Sequence, residues 1–221
     1  MRSLIALLAC ATPCFAQEPL APEYLEETAT AGLSTAYLGD WQYMVGGGAA
    51  VFDCDGDGAQ DLFLSGGEGA SGLYRNLSEK GGALRFEKRD SGLEMEAVTG
   101  AWPLDVDSNG IADLAVLRVG ANKLMRGLGD CRFEDASDDW NFDGGDAWST
   151  AFAATWERGA DWPTLAVGNY LDRKEEAFPW GSCTANWLHR PAESGGFAPP
   201  QELLPSFCAL SILFSDWGGQ G

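Results

Sequence analysis

The chain has 221 residues, 45% of them hydrophobic, and a formal charge of −19. That length holds one or two globular domains, and the acidity argues against nucleic acid or an anionic membrane surface as a partner. Nine Trp, eleven Phe and five Tyr exclude a disordered acidic tail, because so much aromatic surface drives burial.

Residues 1–16 read as a signal peptide. Arg2 supplies the charged start, Leu4 to Leu8 the apolar core, and Cys14 and Ala16 the small residues at −3 and −1, with cleavage before Gln17. Leu7-Leu8-Ala9-Cys10 faintly resembles a lipoprotein cleavage site, although its apolar core would be very short. No later run approaches the ~18 apolar residues of a membrane span. The expected location is secreted or periplasmic. Cys54, Cys131, Cys183 and Cys208 remain in the exported chain. An even count in an exported protein suggests disulfides, and four cysteines allow three connectivities. Cys183 with Cys208 is the first choice, since both lie around one repeat, and Cys54 with Cys131 would follow. The absence of a CxxC pair argues against zinc.

Residues 17–45 form an N-terminal segment. Its Tyr24 to Thr28 and Ala31-Gly32-Leu33 echo Phe86 to Leu93, so it is a candidate outer strand that completes a last sheet. Residues 46–221 hold repeats. Gly46 to Phe52 is a small-residue apolar strand that runs into Asp53-Cys-Asp-Gly-Asp-Gly-Ala-Gln-Asp61. Asp53, Asp55, Asp57 and Asp61 occupy loop positions 1, 3, 5 and 9, and Ala59 offers a backbone carbonyl at position 7. Four like charges so close together repel unless a cation sits among them. Calcium suits the spacing, being a hard ion that takes six to eight oxygens. An EF-hand is excluded, because position 12 is Leu64 rather than Glu and the flanks read as strands. The plainer alternative is a solvated Asp-Gly turn.

The loop returns 52 residues later as Asp105, Asp107, Asn109 and Asp113, with Ile111 at position 7. A third copy, Thr155 to Leu165, lacks most of the acids, carries Arg158 and is expected to be a turn without metal. A fourth begins at Asp216. Between loops, Leu73-Tyr74-Arg75, Leu124-Met125-Arg126 and Leu188-His189-Arg190 recur in step, each followed by a Phe: Phe86, Phe133 and Phe197. Each repeat therefore reads as four strands. Strand one enters the loop, strand two leaves it, strand three carries the Leu-x-Arg and strand four the Phe. A period near fifty residues with four strands implies an all-β, partial β-propeller of four-stranded blades, with three repeats and the start of a fourth.

His189 is the single histidine and aligns with Tyr74 and Met125, so it reads as a strand residue rather than a catalytic base. No Ser-His-Asp or Cys-His arrangement and no phosphate-cradling GxxxxGK motif stands out. Trp156 and Trp217, both at loop position 2, read as structural, whereas Trp180 and Trp187 are candidates for surface contact. Asn76-Leu77-Ser78 is a formal glycosylation acceptor.

These loops resemble the FG-GAP/VCBS repeat family of calcium-loop propellers. Met44 to Asp53, Leu165 to Tyr170 and Leu213 to Trp217 look more narrowly like the cartilage acidic protein/UnbV-type group of secreted proteins. The resemblance implies calcium ligands at Asp53, Asp55, Asp57, Ala59 and Asp61, and at Asp105, Asp107, Asn109, Ile111 and Asp113. It implies seven blades where this sequence shows three and the start of a fourth. The functional expectation is an exported, non-catalytic calcium-binding repeat protein for adhesion or protein interaction, with a protein or glycan surface as ligand. The alternative is the propeller scaffold of a polysaccharide-active enzyme.

Overall fold

A computed structural model describes residues 21–174 and 182–219. The expected signal peptide and Trp180 lie outside the described residues. Twelve strands follow in chain order: β1 (Ala49–Phe52), β2 (Asp61–Leu64), β3 (Gly72–Asn76), β4 (Phe86–Arg89), β5 (Val98–Leu104), β6 (Asp113–Arg118), β7 (Lys123–Gly127), β8 (Phe133–Asp135), β9 (Ala147–Thr155), β10 (Thr164–Asp172), β11 (Asn186–His189) and β12 (Gln201–Leu203). They form three four-stranded antiparallel sheets, each with its strands in sequence order. The fold is all-β, with three sheets standing side by side and no ring closed by the described residues.

The division into four strands per repeat agrees with the sequence pattern. Leu73-Tyr74-Arg75 lies in β3 and Leu124-Met125-Arg126 in β7, and Leu188-His189 ends β11. The fourth strand of the third repeat differs. Phe197 bridges Pro191, but the ladder resumes only at Gln201 opposite Leu188. Pro199 and Pro200 lie between, and proline has no amide to donate to a ladder.

Alternation along the strands puts one face of each sheet against the next sheet. Phe52, Phe63 and Leu73 of the first sheet meet Leu114, Val116, Met125 and Phe133 of the second. The opposite face of the second sheet, with Ala115, Leu117 and Leu124, meets Phe152, Leu165 and Val167 of the third. The first strands of the three sheets stand together at the inner edge, β1 against β5 and β5 against β9. Crowding there explains the small residues before Ala49: a Cβ on Gly48 would stand 3.2 Å from the Gly100 Cα. Hydrogen bonds step from sheet to sheet along this edge. The Gly48 amide donates to the Thr99 carbonyl at 3.4 Å, the Thr99 hydroxyl to the Ser149 carbonyl at 2.8 Å, and the Thr150 hydroxyl to the Ala209 carbonyl at 2.6 Å.

The N-terminal segment does not form the expected outer strand. Residues 21–45 hold a single helical turn (α1, Thr28–Ala31), a 3-10 turn (Trp41–Tyr43) and one bridge from Leu38 to Gly67. The echo of the repeat is nevertheless real at one place. Gly32 and Gly92 share a positive φ of 87° and 86°, and in each a Cβ would meet a carbonyl at 2.4 Å, of Phe86 and Phe133 respectively. The segment thus keeps the link that docks onto the next sheet's fourth strand, while no described strand three stands beside it to pair. Residues 208–214, expected as the first strand of a fourth repeat, also lack a strand. Ala209 packs over Gly168 and donates its amide to the Asn169 carbonyl at 2.9 Å, but Leu210 and Leu213 stay exposed.

Both expected disulfides are present. Cys54–Cys131 closes 77 residues and joins the first acidic loop to the second sheet. Cys183–Cys208 closes 25 residues and ties the C-terminal segment to the third sheet. His189 is buried among the rings of Phe142, Trp187 and Phe197. Burial holds its imidazole down at about 4, with Asp143 opposing weakly.

Two predictions follow from this packing. Loop-closure entropy makes the longer disulfide the more stabilising. Replacing Cys54 and Cys131 by Ala should cost about 4 kcal/mol in urea unfolding, and replacing Cys183 and Cys208 about 3 kcal/mol. The buried imidazole makes the fold acid-sensitive. The unfolded chain takes up a proton near the ordinary pKa of ~6.5, whereas folded His189 resists it until about 4. The contribution of neutral His189 is therefore full above pH ~6.5 and falls as pH drops toward 4, by about 3 kcal/mol. His189→Phe should lose less stability than wild type across that window, read as a difference between the two pH profiles.

Candidate functional site

The acidic residues lie on two hairpin loops. Residues 53–60 join β1 to β2, and residues 105–112 join β5 to β6. Gly56, Gly58 and Gly110 have φ between 79° and 85°, and Ser108 takes the place of Gly56 at 58°. Nothing stands near a Cβ built on any of these three glycines, so backbone conformation, not space, selects glycine there.

The two loops share most of one hydrogen-bond pattern, differing in one donor to position 1. Asp53 accepts from the amides of Gly56 and Gly58 at 2.7 and 2.9 Å, and Asp105 from those of Asn109 and Gly110 at 3.0 and 2.9 Å. Asp55 accepts from Asp57 at 3.1 Å, and Asp107 from Asn109 at 3.3 Å. At position 5, Asp57 accepts from the Ala59 amide at 2.8 Å and Asn109 from the Ile111 amide at 2.7 Å. Position 9 is the innermost. Asp61 accepts from Cys54 on one oxygen and from Asn76 on the other, both at 2.8 Å. Asp113 does the same with Val106 and Gly127, both at 2.8 Å. Both side chains are fully buried. Burial raises the Asp61 carboxyl, against the amides of Asn76 and Cys54. Burial pushes Asp113 up to about 6. Asp53 is held low instead: burial is the largest single influence and pushes it up, but the amides of Gly58, Gly56, Asp55 and Asp57 together outweigh it.

Folding brings three of the four expected acids of the first loop together. One oxygen from each of Asp53, Asp55 and Asp61 lies within 4.8 Å of the others, and Asp105, Asp107 and Asp113 form the matching set. A carboxylate oxygen that accepts one amide keeps a second lone pair. These all-oxygen sets therefore fit a hard cation. Asp57 does not join its cluster; its carboxylate accepts the Ala59 amide and pairs with an arginine. Ala59 is half-buried and Ile111 exposed, and each closes its turn through its own amide. Cys54 and Cys131 also stand near Asp61, but as a disulfide they present no thiolate to a metal.

Sequence reasoning missed the arginine. Arg75 reaches across from β3 to pair with Asp55, and with Asp57 at 3.3 Å. The equivalent Arg126 pairs instead with Glu134 at 2.8 Å and Asp139 at 3.3 Å, with its guanidinium 5.0 Å from the Trp140 ring. Arg190 pairs with Glu157 in the third loop. The signal was the recurring Leu-x-Arg, whose arginine has a different destination in each repeat.

The tryptophan assignments reverse. Trp156 is 44% exposed and Trp217 96% exposed, rather than buried in a core. Trp156 lines an open groove with Phe214 and Asp216, and residues 208–214 form no strand over it. Trp187, expected at the surface, packs against the core between the second and third sheets. The Asn76 side chain donates to the Gln60 carbonyl at 2.9 Å.

The geometry separates structural from cation-facing acids. Asn at position 9 would turn a donor toward a backbone amide and leave that buried amide unpaired. Asp61→Asn and Asp113→Asn should each lose about 2–3 kcal/mol in urea unfolding with EDTA present. Asp107→Asn, at a cluster acid that accepts the Asn109 amide at 3.3 Å, should lose less than about 1 kcal/mol under the same conditions.

Comparison with known proteins adds one match. Residues 53–116, from the first acid of loop one into β6, match the FG-GAP-like repeat family. No match is found among curated proteins.

Proposed function

We propose that this protein is an exported, calcium-stabilised β-propeller segment that serves protein interaction or adhesion and does not itself catalyse a reaction. The observation that carries this reading is the repeated acid cluster. Two loops 52 residues apart assemble the same three carboxylates, and both lie in the stretch that matches FG-GAP-like repeats. The FG-GAP-like match points to a propeller-type interaction domain. Three sheets joined along their inner strands are the arrangement that an arc of blades requires. Within that class, Met44 to Asp53 supports the narrower likeness to the cartilage acidic protein/UnbV-type group.

Calcium would be held by Asp53, Asp55 and Asp61 in loop one and by Asp105, Asp107 and Asp113 in loop two. Asn109 and the carbonyls of Ala59 and Ile111 are the further donors within each turn. The ion would draw the acids together and relieve their mutual repulsion. The arginine–glutamate pair in the third loop supports leaving that loop out. Export is supported by the hydrophobic leader and by two disulfides, which persist in oxidising compartments. No described helix is long and apolar enough to cross a membrane. The ligand class is a protein or glycan surface.

Calorimetric titration with calcium tests the reading. Two sites are expected, with dissociation constants in the extracellular range of about 10⁻⁴ to 10⁻³ M. At ten times the dissociation constant each site should add about 1.4 kcal/mol of stability, visible as a higher melting temperature that EDTA reverses. A folded chain that takes up no calcium would leave the loops as Asp-Gly turns and sink the assignment.

A further inference from the structure

The three repeats place one arginine in strand three or directly after it, Arg75 in β3, Arg126 in β7 and Arg190 one residue past β11, and its destination differs each time. In the third loop Arg190 pairs with Glu157, which stands at loop position 3, and the Thr164 hydroxyl donates to the same glutamate at 2.9 Å. This loop has few acids, and an internal cation neutralises the one at position 3. In the first loop Arg75 pairs with Asp55, again position 3, and reaches Asp57 at position 5. Here the full set of four acids is also present. In the second loop the arginine is drawn off: Glu134 and Asp139 take the Arg126 guanidinium, and the Trp140 ring lies beneath it. Asp105, Asp107 and Asp113 keep their cluster without an arginine from strand three.

We infer that Arg75 is a built-in competitor for the cation of loop one, so that the two loops are unequal sites and loop two fills first. This rests on the calcium reading above. The physical basis is occupancy and charge. In loop one, the Asp55 and Asp57 carboxylates each give one oxygen to a backbone amide and the other to Arg75. A calcium ion entering the cluster must displace the guanidinium or share Asp55 with it, at a separation where like charges repel. Even in water-like screening, a unit charge about 5 Å from a divalent ion weakens its binding on the order of tenfold. Neutralisation by Arg75 has a second effect. Loop one carries Asp57 where loop two carries Asn109, and the arginine offsets that extra charge. Loop one is therefore held together without metal, whereas loop two relies on the metal to relieve its repulsion.

The test uses the full chain and calcium chloride, with each loop read in isolation. Asp105→Asn with Asp107→Asn silences loop two, and Asp53→Asn with Asp55→Asn silences loop one. Calorimetry should give a weaker dissociation constant for loop one than for loop two. Arg75→Gln should tighten loop one on the order of tenfold. Arg126→Gln removes the same charge away from a loop and should change either constant by less than about twofold. A second readout needs no metal: in EDTA, exchange of the Asp57 and Ala59 amides should be slower than that of Asn109 and Ile111, and Arg75→Gln should abolish the difference. If both loops bind calcium and Arg75→Gln leaves loop one unchanged, or if Arg126→Gln acts equally, the competition is overturned and the calcium reading stands. Absence of binding by wild type and by Arg75→Gln alike overturns the calcium reading and the competition together.

Discussion

One buried carboxylate in each of the first two repeats joins three pieces of backbone. Asp61 and Asp113 sit at the exit of their loops, at the first residue of β2 and β6. Each accepts one amide from the start of its loop and one from the end of strand three. A bare carboxylate in such a place would be strongly disfavoured, and the paired amides are what make its burial tolerable. The hairpin loop is thereby fixed to the third strand of its own sheet. The same residue also faces the acid cluster. Loop charge and sheet geometry are coupled through it: a cation that draws on position 9 also bears on the strand-three pairing.

The surrounding charge is then settled locally in each repeat. Positions 1 and 5 use backbone amides of the turn itself, which explains the positive φ at Gly56, Gly58, Ser108 and Gly110: the chain must fold back for those amides to point at Asp53 and Asp105. Position 3 is the variable one. Its partner is an arginine in strand three or directly after it in the first and third repeats, and in the second the arginine is held elsewhere by two acids and an indole. A chain of this acidity can thus keep clustered carboxylates in the folded state without one uniform solution to their repulsion.

Much of this was legible because the information is local. The loop acids are separated by one to three residues, so their spacing alone places them on one turn. The four-strand division follows from the same local punctuation, and the Cys183–Cys208 pairing from position within a repeat. What was not legible depends on contacts between distant segments. Arg75 lies 18 residues from Asp57 and meets it only because β3 folds back alongside β2. Whether such an arginine turns inward is decided by Glu134, Asp139 and Trp140, none of which lies in the loop. Residues 21–45 and 208–214 carry strand-like sequence but no described partner strand, and a lone strand gains no ladder hydrogen bonds. Pro199-Pro200 displaced the last strand by a local rule that the position of Phe197 obscured.

The inner edge determines how the loops are presented. Gly48, Thr99 and Ser149 meet through hydrogen bonds near the start of β1, β5 and β9. From that common point the three strands diverge into their loops in the same sense. Loops one and two therefore emerge on one rim of the assembly, side by side, and the third loop, with its arginine–glutamate pair, follows on the same rim. Crowding at the edge demands small residues, as at Gly48 against Gly100, and the same crowding limits how far one sheet can slide against the next. Cys54–Cys131 reinforces this from the loop side, since it anchors position 2 of loop one to the turn between β7 and β8. Changes in loop one are thus transmitted to the second sheet by a covalent bond, while loop two reaches the third sheet through the Ser108 hydroxyl on the Asp161 carbonyl. Each acidic loop is in this way a tie between neighbouring sheets, and the proposed cation would act on the joint between two sheets rather than on a solvated turn.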